Sequence, residues 1–236
     1  MSKLFTSLAV VFVAACSASS KSSATDSTTV ASTSKRAANA ELIERAADSV
    51  QAVGVPAAVA DVGAHGEDLY DVAKASSWSK ASAIMDSLDK STAALATGER
   101  TQLTGVLDTL RKAIASRDRV PATEAANRVT FIAAHLTEAY HPKMPADIVR
   151  LDFYGRELEI WAERKDMTRL ASIAADLRRT WERVKPSEIA HGGAAAAATT
   201  DSLVAQLAKA KTAADYAHIA TPFLNVVDLL EKPFEK

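Results

Sequence analysis

Residues 145–165 read PADIVRLDFYGRELEIWAERK. At 100° per residue, Ile148, Leu151, Tyr154, Gly155, Leu158 and Trp161 fall on one side of a helix. Val149, Phe153 and Ile160 fall close to the opposite side. A surface helix needs one apolar stripe; two such faces call for neighbours on both sides, or for a partner on the second. Enough amphipathic helices flank this one to cover both faces, so burial is the expectation. Arg150, Asp152, Arg156, Glu157 and Glu159 lie between the two seams and need partners or water.

Outward from this helix the pattern stays helical from about residue 38, with no convincing period-two run to indicate a sheet. Four segments share one spacing: Ala81-Ile84-Met85-Leu88-Leu95, Val129-Ile132-Ala133-Leu136-Tyr140, Leu170-Ile173-Ala174-Leu177-Trp181-Val184 and Tyr216-Ile219-Ala220-Phe223-Val227-Leu230. Each follows another helical segment and a short polar connection. Three of them close on proline, at Pro142, Pro186 and Pro233. A period of about 41–49 residues is that of a two-helix repeat. The expected fold is all-α, an antiparallel helical bundle whose hairpins share a repeat-like spacing. Residues 54–66 read as loop with some helix, 67–76 as a short helix, and 190–200 as the longest loop. Pro222 falls within the last helix and should kink it.

Composition agrees. Hydrophobic residues make up 48% of 236 and aromatics 6%, and abundant alanine suits closely packed helices. The formal charge of −1 gives no electrostatic case for a nucleic-acid partner. One cysteine, Cys16, excludes an internal disulfide, a thiolate cluster and two-cysteine haem attachment.

The N-terminus, MSKLFTSLAVVFVAAC, places Lys3 before a short apolar run and then small residues. That is the layout of a signal peptide, too short to span a bilayer. Val13-Ala14-Ala15-Cys16 resembles the lipobox of bacterial lipoproteins. The resemblance implies removal of residues 1–15 and lipidation of Cys16, and Ser17 implies outer-membrane placement in a Gram-negative cell. Residues 17–34 contain twelve Ser or Thr in eighteen, too polar to fold. As a tether they would span roughly 20–25 Å. The expected organisation is a signal peptide over 1–15, a lipidated tether over 16–38 and one helical domain over 39–236.

Chemistry is sparsely signalled. The sequence holds no GxSxG, P-loop, dinucleotide fingerprint or HExxH, and nothing points to an enzyme. His135 and Glu138, at i and i+3, share a helix face, and Asp152 on the next helix lies within a hairpin's reach. A His/Glu/Asp set would suit iron or another first-row divalent metal. Val149, Phe153, Tyr154, Ile160 and Trp161 mark either a partner interface or an interhelical pocket. Arg164, Lys165, Arg169, Arg178, Arg179, Arg183 and Lys185 form a cationic group that nearby acids should neutralise. The leading expectation is a lipid-anchored envelope protein serving as a non-enzymatic interaction or binding module for an envelope protein partner. A metal-binding protein and a small-molecule binder are the alternatives.

Overall fold

A computed structural model describes residues 54–235. The signal segment, Cys16, the tether and the helix expected over 38–53 lie outside the described residues. The described chain is all-α: α1 (Ala57–Lys74), α2 (Trp78–Ala94), α3 (Thr97–Ser116), α4 (Arg119–Thr137), α5 (Ala146–Arg164), α6 (Met167–Ala190), α7 (Ala194–Leu207) and α8 (Ala213–Glu231). A 3₁₀ turn follows α4 at Glu138–Tyr140, and another follows α8 at Lys232–Phe234.

The helices form two quartets. In the first, α1 packs on α2 and most extensively on α4, and α3 packs on both α2 and α4. In the second, α5 packs on α6 and α8, and α7 joins them. The α4–α5 contact couples the quartets. These two helices run antiparallel: Arg119 pairs with Glu163 at one end, and Arg150 Nη1 donates to Glu138 Oε1 at 2.7 Å at the other.

The second quartet repeats the first. Pro56, Ala57, Val59, Val62, Gly66, Leu69 and Ala73 recur 89 residues later as Pro145, Ala146, Ile148, Leu151, Gly155, Leu158 and Ala162. In both copies proline stands just before the helix, with φ/ψ of −56°/137° and −57°/131°. Both copies leave the helix through a left-handed residue, Ser76 at φ 55° and Lys165 at φ 56°. The register continues into α2 and α6, where Ala81, Leu88 and, just past the end of α2, Leu95 match Leu170, Leu177 and Val184, all buried. In α4 and α8 the offset is 94, pairing Ala122, Ala125, Val129 and Leu136 with Tyr216, Ile219, Phe223 and Leu230.

The same glycine closes each quartet. A Cβ on Gly66 would meet Thr130 Oγ1 at 2.8 Å and Val129 Cγ1 at 3.2 Å. A Cβ on Gly155 would meet Leu224 Cδ2 at 2.6 Å and Phe223 Cδ1 at 3.3 Å. Thr130 and Leu224 are equivalent positions, as are Val129 and Phe223. Both glycines lie mid-helix, where glycine costs about 0.5–1 kcal/mol against alanine. Close approach of the first and last helices offsets that cost. The repeating unit is therefore four helices, within which the evenly spaced hairpins are half-units.

Three local expectations change. Residues 57–66 are helix rather than loop, because Val59, Val62 and Leu69 continue one buried stripe through both glycines. Pro186 lies inside α6 and closes nothing. The expected loop over 190–200 shrinks to three residues, because the alanines after Gly193 start α7. Pro222 lies within α8, which continues past it to Glu231. Caps define other starts: Thr212 and Asp215 exchange side-chain and backbone hydrogen bonds at α8, and Asp166 accepts from the Arg169 N–H at α6.

Candidate functional site

Helix α5 is enclosed as its two apolar faces require. Ile148, Leu151 and Leu158 are fully buried, and Phe153 and Ile160 on the other face are 7% and 6% exposed. Val149 is half-buried. The second face is thus largely covered by the protein itself, with α4 packed against α5.

Covering is incomplete on one flank. Where α4, α5 and α6 meet, a pocket of about 450 Å³ opens, lined among others by Phe131, Phe153, Tyr154, Trp161, Arg128 and Arg169. Helix α5 supplies Phe153, Tyr154, Glu157 and Trp161, which span the flank where one apolar face, with Phe153, meets the other, with Tyr154 and Trp161. The rings interlock: Phe131 and Phe153 have centroids 4.6 Å apart, and Tyr154 meets Phe153 edge-on at 5.2 Å. Such pairs contribute about 0.5–1.5 kcal/mol beyond their burial, so the aromatic wall is already formed.

A carboxylate lies within this wall. Asn127, fully buried on α4, donates through Nδ2 to Glu157 Oε1 at 2.9 Å and to the Phe153 carbonyl at 3.1 Å. Trp161 Nε1 donates to Glu157 Oε2 at 2.9 Å. Burial raises the Glu157 pKa above the ordinary carboxylate value, while the bonds from Asn127 and Trp161 pull it back. These bonds fix the indole's orientation and hold α4 to α5.

Guanidinium groups cover the rings. Arg128 lies 4.7 Å from the Phe131 centroid, and Arg164 and Arg169 lie 4.6 and 4.9 Å from that of Trp161. Arg164 also pairs with Glu124 at 3.1 Å. Of the remaining cationic group, Arg178, Arg179, Arg183 and Lys185 pair with Glu182, Asp176, Asp147 and Asp201. Local neutralisation thus holds for most of that group.

The opposite flank of α5 is acidic. Asp152 Oδ2 lies 2.9 Å from Arg156 Nη2, and Arg156 lies 5.0 Å from the Tyr70 ring centroid. Glu67 of α1 and Glu231 of α8 belong to the same electrostatic neighbourhood. Burial is the largest influence on each: it raises Glu67 to about 7 and Asp152 to about 6, and pushes Glu231 up. Glu159, nearby, accepts from Tyr70 at 2.9 Å and pairs with Lys74.

His135 and Glu138 do meet, Nδ1 to Oε2 at 3.2 Å, but His135's side chain is 61% exposed and Glu138 also binds Arg150. Asp152 faces Arg156 instead, with Asp71 and Asp228 nearby. Among the described residues no group of three or more His, Cys, Asp or Glu side chains is placed to hold a metal ion. The structure therefore brings together Phe153, Tyr154 and Trp161, places Ile160 in the core, and separates Asp152 from His135 and Glu138. The contributions of Phe131, Arg128 and Asn127 were not foreseen. The available signal was Phe131's position off the Val129-Ile132-Ala133-Leu136 stripe, with Arg128 one turn before it.

Comparison with protein-family models, with curated proteins and with solved structures gives no match for this chain.

Proposed function

We propose that this chain is a non-enzymatic binding module, anchored in the bacterial envelope through lipid on Cys16, that holds a small molecule between α4, α5 and α6. The observation that carries the binding half is the aromatic pocket. Its volume of about 450 Å³ falls within the roughly 300–1,000 Å³ typical of ligand sites. The internal repeat supplies a control. The first-quartet counterparts of Phe153, Tyr154 and Trp161 are Ala64, His65 and Val72. The four-helix unit folds without these aromatics, so packing within a quartet does not require them; in the second copy they build the contact with α4 and the pocket beside it.

The anchoring half rests on the lipobox resemblance at Val13-Ala14-Ala15-Cys16 and the polar tether behind it. No helix among the described residues is long and apolar enough to cross a membrane. Metabolic labelling with radioactive palmitate tests it: label should enter the wild-type chain and be lost in Cys16→Ser. Equal labelling of both would end the lipoprotein reading.

Ligand binding is tested by thermal unfolding of the full chain in detergent against a library of aromatic fragments. A ligand at 100 times its Kd should stabilise the protein by about 2.7 kcal/mol. Hits should shift the wild type and not Phe131→Ala, whose half-exposed ring can be removed without opening the core. A library that gives no shift dependent on Phe131 overturns the proposal.

A further inference from the structure

We propose that the ligand is a small organic anion, a flat apolar body carrying a carboxylate, sulfonate or phosphate-type group, clamped by Arg128 and Arg169. This rests on the small-molecule reading of the same pocket and names the chemical class. Glu124 pairs with Arg164 and Asp176 with Arg179, while Glu157 accepts hydrogen bonds from Asn127 and Trp161 and has Arg169 as the cation that favours its charged form. Arg128 and Arg169 line the pocket and have no carboxylate within ion-pair distance among the described residues. They come from the helices on either side of α5.

Both cations are exposed, and each guanidinium lies over an aromatic ring, Phe131 for Arg128 and Trp161 for Arg169. A cation–π contact uses up no N–H hydrogen bond, so the guanidinium N–H groups stay available to an anion, in a fork that suits two oxygens at once. Because the rings already restrict these groups, binding loses less side-chain freedom. The repeat again discriminates. At the Arg169 position the first quartet has Lys80, a point charge without the planar fork.

The competing occupant is a quaternary ammonium ion, which aromatic cages recognise through their ring faces. Here the faces of Phe131 and Trp161 already carry guanidinium groups. A ligand cation would displace them or be repelled by them. An anion with an apolar body instead meets positive edges above an aromatic wall.

The test uses the full chain in detergent with two fluorescent probes of one scaffold. These are 1-anilinonaphthalene-8-sulfonate and its uncharged counterpart N-phenyl-1-naphthylamine. The sulfonate should bind about tenfold more tightly than the neutral probe or better, the scale of one charge-assisted contact. Both should lose binding in Phe131→Ala. The double variant Arg128→Gln/Arg169→Gln should abolish the sulfonate's advantage, leave the neutral probe within about twofold, and keep the wild-type helical circular dichroism. Equal affinities for the two probes, both lost in Phe131→Ala, would overturn the anion assignment and leave the pocket standing. Displacement of the sulfonate by choline would overturn it too. Binding of neither probe, or binding indifferent to Phe131→Ala, would bring down the small-molecule reading itself.

Discussion

Raising the pH from 5 to 8 should destabilise this protein, and Glu67 is the main reason. Burial among α1, α5 and α8 raises its pKa from 4.5 to about 7, with Asp152, Glu231 and Asp68 pushing the same way and Arg156 opposing. Between those values the folded state holds a proton that the unfolded state has released. Bound protons then favour the fold, so the stabilisation is present below about 4.5 and is lost as pH rises towards 7. Each pKa unit is worth about 1.4 kcal/mol, so Glu67 contributes up to about 3 kcal/mol across its window. Asp152, raised from 3.8 to about 6, acts in the same direction at lower pH. Asp152 is one of the charges that raise Glu67, so their effects do not add. Carboxylates held low, such as Glu138, Asp147 and Asp201, lose their contribution only below the ordinary carboxylate range and leave pH 5–8 untouched. The assay is urea unfolding of the full chain, followed by helical circular dichroism at pH 5, 6, 7 and 8. Wild type should lose about 2–3 kcal/mol over that range. Glu67→Gln keeps the shape without the charge and should flatten the curve, matching wild type at pH 5 and exceeding it at pH 8. A variant that retains the wild-type slope would show that Glu67 is not the group responsible, and a wild-type curve rising to pH 8 would refute the reasoning.

Other substitutions probe the packing. Gly66→Ala should cost about 1–2 kcal/mol in urea unfolding, because the new Cβ meets backbone as well as Thr130 Oγ1. Gly155→Ala should cost less than half as much, since the first obstacle is the mobile tip of Leu224 and alanine restores about 1 kcal/mol of helix propensity. Asn127→Ala removes a buried donor to Glu157 and the Phe153 carbonyl, with an expected loss of about 1–3 kcal/mol by the same measurement. Gly193→Ala would drive a Cβ to 1.6 Å from Glu188 Oε1, displacing a fully buried carboxylate. The melting temperature should fall by several degrees, about what 1–2 kcal/mol produces in a domain of this size.

The all-α class was legible because amphipathic period survives in nearly every helix, and the two-faced character of residues 145–165 correctly implied enclosure. The length of the repeat was harder to see. Helical stripes at Ala81, Val129, Leu170 and Tyr216 resemble one another whatever their ancestry, so they suggest a two-helix period. The more specific signal was Pro56-Ala57…Gly66 against Pro145-Ala146…Gly155. It was obscured because glycine within a helix reads locally as a breaker, and only the facing α4 and α8 explain why glycine is required. Pro186 and the alanines after Gly193 misled for a related reason: local punctuation gave way to a buried stripe. Of the pocket, the α5 half was visible in Phe153, Tyr154 and Trp161. The α4 half was not, because periodicity shows which residues share a helix face and not what a neighbouring helix brings to it.

The tandem arrangement has a consequence for how such a pocket can arise and change. Phe131 and Arg128 belong to the first copy, and Tyr154, Trp161 and Arg169 to the second. A single four-helix unit, however stable, owns only half of this binding surface. Joining two copies creates a seam to which each contributes residues at the edge of its core. That leaves the chemistry of the seam free to diverge while the glycine-closed quartets on either side stay constant.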